Sequence, residues 1–204
     1  MESINQKVWH ALETDPAIKK DLIRRLINTR ALAKYLIQSY GINASLDAVI
    51  SSIRRFPLGR STENEKSLQN IFRDSIISTK NNIACVTISH PPSETLSRLA
   101  TISIPTIRVT TGTDEVKVMV ENKNAEKIAK LFKNADVRNH LSEISVTVSE
   151  RAVTTKGVLA RIAGELAVAN INIHELLVCP PQFLIYVSQD DIVKAHERIL
   201  ALSG

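Results

Sequence analysis

The first quarter of the chain carries apolar residues at helical spacing. Ile4, Val8, Ala11 and Leu12 form one stripe, and Asp15-Pro16 restarts the chain with an N-cap and a proline at the first helical position. Ile18, Leu22, Ile23 and Leu26 form the next stripe. Asn28 or Thr29 caps a third helix bearing Leu32, Ala33, Leu36 and Ile37, which stops near Gly41. Asn43 or Ser45 opens a fourth helix with Leu46, Val49, Ile50 and Ile53, ending at Phe56-Pro57. The polar stretch 57–70, with Pro57 and Gly59, reads as a linker with a helical turn at its end.

Beyond it the period changes. Ile83 to Ile88 reads as a strand and Ser93 to Thr101 as a short helix capped by Ser93. Two alternating runs, Thr106 to Thr111 and Glu115 to Glu121, flank Gly112-Thr113-Asp114 and predict a hairpin. Asn124 to Asn134 is an amphipathic helix. A similar order of elements then recurs: strand Ile144 to Val148, helix Gly157 to Ala169, strand Ile171 to Val178, a turn at Pro180-Pro181, strand Phe183 to Val187, and helix Asp190 to Leu202. This is an internal repeat of about 60 residues in element order rather than residue identity.

The expected fold class is therefore α+β. A helical N-terminal domain (1–60) and a linker (61–75) precede two ferredoxin-like units of βαββαβ type (76–142 and 143–204) packed side by side. One strand is missing from this count. Ile144 to Val148 can close the first unit or open the second, and no strand follows the last helix. Either Ser75 to Thr79 or a second copy of the chain supplies the fourth strand, and the expected state is at least a dimer.

Composition narrows the function classes. The 204 residues include 26 Lys plus Arg and 21 Asp plus Glu, a formal charge of +5. Residues 1–60 hold 10 basic and 5 acidic side chains, so the whole excess sits in the helical part. Aromatics are 4%, too few for a stacking platform for single-stranded nucleic acid. Cys85 and Cys179 lie in apolar runs and read as buried free thiols of a reducing compartment. The polar start, Met1 to Lys7, lacks the apolar core of a signal peptide, and no run is long enough to span a membrane, so the expected location is the cytoplasm.

Catalytic and metal signals are poor. His10, His90, His140, His174 and His196 show no metal-ligand spacing, and there is no GxxxxGK, GxGxxG or nucleophile elbow. Asp190-Asp191 opens a helix, where it complements the dipole. No catalytic residue, metal ligand or cofactor is assigned, and an enzyme is the least favoured class.

The informative stretch is 145–187. GVLARIAGELAVANINI (157–173), followed by a strand, a turn and PQFLIYV, resembles the ACT domain, the small-molecule-sensing module of aspartokinases and other enzymes of amino-acid metabolism. Lys156 stands where the pattern more often has proline before the glycine. The resemblance implies a ligand at the loop Thr154, Thr155, Lys156, Gly157, Val158 and at Asn170, Ile171 and Asn172, across a domain or subunit interface. The residues themselves allow this. Gly157 lets the backbone approach a ligand, the first N–H groups of the helix favour a carboxylate, and the Asn amides suit an amino group or polar side chain. The alternative is that Gly157 serves only the turn and the Asn residues only end elements. Residues 83–133 resemble a degenerate copy, whose loop His90-Pro91-Pro92-Ser93 has no glycine and fewer N–H donors.

TRALAKYLIQSYGINASLDAVISSIRRF (29–56) is similar to the helix-turn-helix core of winged-helix proteins. That implies double-stranded DNA as a partner. Ser45, Asp47, Ser51, Ser52 and Arg55 would face the groove, Arg24, Arg25, Arg30, Arg54 and Arg60 would meet phosphates, and a short wing would lie around Pro57 to Arg60. The alternative is a helical docking or dimerisation domain. The whole arrangement resembles the predicted ACT-containing regulators of amino-acid metabolism in archaea. It implies a non-enzymatic, allosteric regulator that senses an amino acid, acting on DNA or as a detached subunit of a biosynthetic enzyme.

Overall fold

The computed structural model describes residues 2–57 and 62–203; of residues 62–66 it describes the backbone. The chain divides into two compact units, 1–63 and 64–204.

Among the described residues up to Pro57, the N-terminal unit forms four helices: α1 (Ile4–Thr14), α2 (Pro16–Ile23), α3 (Thr29–Ser39) and α4 (Leu46–Arg54). Local chemistry sets each start. Ser3 and Gln6 form a capping box on α1. The side chains of Asp15, Asn28 and Ser45 accept backbone N–H groups at the starts of α2, α3 and α4. Gly41, at φ 61°, takes the left-handed turn after α3. Val8, Leu12, Leu32, Leu36, Val49, Ile53 and Phe56 form the core. Trp9 packs edge-on to Phe56 with ring centres 6.1 Å apart, and its indole N–H donates to the Ser52 carbonyl at 3.0 Å.

The segment expected as a linker (61–75) is mostly helix α5 (Thr62–Arg73). Leu68, Ile71 and Phe72 share one face and pack into the core of the second unit. Three apolar residues at helical spacing outweigh a polar average.

The second unit follows with β1 (Ile76–Ile88), α6 (Pro92–Leu99), β2 (Ile107–Thr111), β3 (Val116–Glu121), α7 (Asn122–Ala129), β4 (Ala135–Thr147), α8 (Val158–Val168), β5 (Glu175–Cys179), β6 (Gln182–Ser188) and α9 (Ile192–Leu200). All pairings are antiparallel in one sheet of order β2-β3-β1-β4-β6-β5. The missing strand is resolved by length. β1 and β4 are 13 residues each and pair from Ile76↔Thr147 to Ile88↔Ala135. The distal half of β1 pairs with β3, and the distal half of β4 pairs with β6. The start of β1, which includes most of Ser75 to Thr79, thus completes four strands with β4, β6 and β5. The boundary expected at 142/143 falls inside β4.

Register shifts in the β1–β4 pair between Lys80 and Ile83, and again before Cys85, coincide with left-handed residues Asn82 (φ 58°) and His140 (φ 59°). Strands lie about 4.8 Å apart, so β3 and β5, four positions apart, would sit about 19 Å apart in a flat sheet. Yet Lys117 on β3 meets Glu175 on β5 at 2.5 Å. The sheet is folded at the bulges, and its inner face is buried between its own halves. Ile83, Cys85, Met119, Leu141, Leu184 and Tyr186 fill that interior. Each outer face carries its own helices: α6 and α7 over Val86, Val118 and Val137, and α5, α8 and α9 over Ile144, Val146 and Ile185.

Helix α6 begins at Pro92 and has no side-chain cap, so Ser93 does not cap it. The strand expected from Ile171 begins only at Glu175, because the chain first closes α8. Cys179 is exposed at the end of edge strand β5, whereas Cys85 is buried as expected.

Candidate functional site

The β4–α8 connection begins with a short 3-10 turn, Glu150–Val153. The Thr154 and Thr155 hydroxyls both donate to the Arg151 carbonyl, at 3.2 and 2.9 Å, which tightens the loop. Gly157 follows at φ 91°, a conformation that a side chain would strain. It is exposed, occupies the N-cap of α8 and supplies no side-chain cap, so the first N–H groups of the helix stay available to an anion. Val158 turns its side chain into the core at 3% exposure and can offer a ligand only its backbone. Leu68 of α5 stands beside the loop: a Cβ at Gly157 would lie 3.7 Å from its Cδ1.

Asn170, Ile171 and Asn172 lie at the other end of α8. Asn170 adopts φ 56°, its N–H donates to Ala167 O at 2.9 Å, and the Ile171 N–H donates to Leu166 O at 2.9 Å. This hydrogen-bond pair is the Schellman closure, with Ile171 as its apolar partner in the core. Asn172 is exposed. Helix α8 has 11 residues and so separates the two groups by about 16 Å. The structure does not bring 154–158 and 170–172 together within one unit. The loop of the first half, His90 to Ser93, ends in the uncapped start of α6.

The groups expected at DNA divide. On α4, Asp47, Ser51 and Arg54 share one exposed stripe with Arg55, the C-cap residue. The Ser45 side chain is engaged as the α4 cap. Arg30 is exposed at the start of α3, and Arg24 pairs with Asp21 at 4.0 Å. Ser52 is fully buried, and its backbone carbonyl holds Trp9, so it cannot face a groove. It falls on the core side because helical spacing places it beside Val49 and Ile53. Arg60 and the expected wing over 58–61 lie outside the described residues.

Two polar clusters escaped the sequence reading. Inside the folded sheet, Glu143 is 5% exposed and accepts from Tyr186 Oη at 2.6 Å and Arg108 Nη2 at 3.1 Å. Burial, then the hydrogen bond to Glu143, pushes the Tyr186 phenol far above its usual range. Burial likewise raises the Cys85 thiol, so the unreactive protonated form is favoured. At the bulge, Glu121 bridges Lys123 at 2.6 Å and Lys80 at 2.8 Å. Those two ammonium groups hold its carboxyl down to about 2, the Lys123 hydrogen bond being the larger cause. Apart from Glu121 and Lys123, two positions apart, nothing local in the sequence pairs these residues. Asn81-Asn82 inside a β run was the one signal, since a turn-forming doublet there marks a bulge.

Among the described residues no three or more His, Cys, Asp or Glu side chains gather to hold a metal, and no helix is long and apolar enough to cross a membrane.

No family profile and no curated protein sequence matches the chain. Solved structures do. An aspartate kinase from Clostridium acetobutylicum matches with TM-score 0.56 and 18% identity over 63% of this chain, which spans 34% of that enzyme. The regulatory subunit of aspartate kinase from Thermus flavus matches with TM-score 0.55 and 13% identity, over 63% of this chain and 97% of that one. A Vibrio cholerae protein of unknown function, described as a possible transport protein, matches with TM-score 0.51 and 16% identity over 69% of this chain and 99% of that one. At these identities the likeness is one of fold: the chain shares the mixed, antiparallel architecture of aspartate kinase regulatory subunits.

Proposed function

We propose that the second unit is a pair of interlocked ferredoxin-like ACT units, and that the protein is a non-enzymatic regulator of amino-acid metabolism. The sheet order carries this reading. β1–α6–β2–β3–α7–β4 gives the order β2-β3-β1-β4, and β4–α8–β5–β6–α9 with the start of β1 gives β5-β6-β4-β1. The two orders are the same pattern with β1 and β4 exchanged, and each is the ferredoxin-like arrangement. The fold shared with an aspartate kinase regulatory subunit supports the regulatory class.

An amino acid is the expected ligand, bound by its carboxylate at the start of α8, where Gly157 opens the backbone and α8 has no side-chain cap. Because 154–158 and 170–172 lie at opposite ends of α8, a site using both draws them from two copies, which favours a homodimer in the cytoplasm. A thermal-shift screen with the twenty amino acids tests this. A ligand at a hundred times its Kd stabilises by about 2.7 kcal/mol, and at least one amino acid is expected to raise the Tm. A flat response to all twenty overturns the sensing role.

The output is proposed to be double-stranded DNA, read by α4. Its support is the single exposed stripe of Ser51, Arg54 and Arg55 on a helix whose other face is core. Fluorescence anisotropy with duplex DNA should show salt-dependent binding that weakens in the Arg54→Ala, Arg55→Ala double variant. Binding unchanged by that variant removes α4 from the interface. A second reading makes the protein a detached regulatory subunit of a biosynthetic enzyme. It is supported by the match along 97% of the regulatory subunit of an aspartate kinase. Co-purification of such an enzyme without DNA affinity would favour it.

A further inference from the structure

A polar cleft opens where the bulge of β1 faces the junction of β3 and α7. Lys80, Asn81, Asn82, Glu121, Asn122 and Lys123 line it. A smaller recess shares Lys80 and Glu121 and continues inward to Arg108 and Glu143. The bulge is what puts these groups together. A regular β1 strand would alternate its side chains between faces, whereas the register shift between Lys80 and Ile83 and the left-handed Asn82 present three consecutive polar residues to one place. Asn81 is held there by the Ser142 hydroxyl, which donates to its Oδ1 at 3.1 Å.

The cleft has two kinds of recognition group. Lys80 and Lys123 bring two ammonium charges against the one carboxylate of Glu121, which leaves an excess positive charge at the mouth. Glu121 remains ionised across the physiological range, so the cleft also keeps a fixed anion. Asn122 Oδ1 is buried with no donor in reach, an acceptor whose desolvation is uncompensated. Two cations, one carboxylate and a set of amides within one recess complement a small molecule carrying both charges. A carboxylate would bridge Lys80 and Lys123, and an ammonium would meet Glu121 and the Asn amides.

We propose that this cleft is a binding site for a small zwitterion of the α-amino-acid type, distinct from the loop at the start of α8. It does not depend on that loop. Its residues come from β1, β3 and α7, and it is complete within one chain.

The test uses the full chain labelled with 15N and each of the twenty amino acids as probes, with the backbone amides as reporters. At least one amino acid is expected to shift the amides of Asn81, Asn82, Asn122 and Lys123. The Lys80→Gln, Lys123→Gln double variant should weaken that binding at least roughly tenfold, since it removes both charge-assisted donors to the carboxylate. The Lys123 side chain is largely exposed and that of Lys80 is 41% exposed, so the variant should keep its fold, which its unchanged spectrum elsewhere would verify. The matching amine without its carboxylate and the matching acid without its amine should each bind more weakly than the amino acid. The proposal falls if no amino acid shifts the cleft amides, if the shifts survive the double variant, or if the acid alone binds as tightly. Shifts confined to 154–158 would uphold the loop reading and overturn this one; shifts at the cleft alone would do the reverse.

Discussion

Lys117 on β3 and Glu175 on β5 are joined at 2.5 Å across the interior of a sheet in which their strands are four positions apart. The pair clasps the two halves of the folded sheet on the rim of the apolar interior formed by Cys85, Met119 and Tyr186. The hydrogen bond to Glu175 is the chief reason the Lys117 ammonium is held above its ordinary pKa.

A double-mutant cycle with Lys117→Met and Glu175→Gln should give a coupling of about 1 kcal/mol or less, because both side chains keep partial solvent contact. A lysine raised on folding adds stability that is fully present below its unfolded pKa of 10.5 and is lost as pH rises through the higher folded value. Denaturant unfolding of wild type and Lys117→Met should therefore differ at neutral pH and converge in strong alkali.

Tyr186→Phe should cost about 1–3 kcal/mol in urea unfolding, because it leaves the buried Glu143 carboxylate short of a donor. Combining it with Glu143→Leu in the same chain should cost less than the sum of the single changes. In the wild-type protein, the absorbance change of tyrosine ionisation should show Tyr186 titrating only at or beyond the alkaline unfolding transition.

The two glycines of the α8 region should respond with opposite signs. Gly157→Ala is strained at φ 91° and should destabilise by about 1 kcal/mol. Gly164 lies inside α8, and a Cβ there meets nothing within 4 Å, so Gly164→Ala should stabilise by about 0.5–1 kcal/mol. Thermal unfolding of both variants checks the pair; equal signs would rule out a left-handed Gly157.

Phe72→Ala should cost about 3–5 kcal/mol in the unfolding of the second unit, since the ring is 2% exposed among Ile71, Val158 and Ile162. A linker residue would cost almost nothing. The measurement thus separates the helix seen here from the linker expected from composition.

The carboxyl of Glu121 should titrate near 2 by 13C NMR, and in Lys80→Gln or Lys123→Gln the midpoint should rise towards its ordinary value of 4.5. A carboxylate depressed on folding contributes stability that is present above 4.5 and lost as pH falls towards 2, so the clamp on the bulge weakens only in acid.

Most elements were legible because they rest on local chemistry. Ser45 caps α4 through a hydroxyl three residues from its partner N–H, and Gly112 N–H meets Glu115 O across the hairpin. Such short-range bonds need no distant residue. The helical spacing of the first quarter, the basic excess of residues 1–60 and the repeated order of elements were all determined by the sequence itself. Long-range facts were not. That the Ser52 carbonyl would accept the indole N–H of Trp9 depended on a residue 43 positions away. Whether Ile76–Lys80 paired with anything depended on Glu143–Thr147, and the closure of the second half depended on that pairing. Helix α5 was hidden because its polar average concealed the three residues that a separate core could bury. The meeting of Lys117 with Glu175, and of Glu121 with Lys80, was decided by two bulges that bend one sheet onto itself, a property of register between strands rather than of any strand alone.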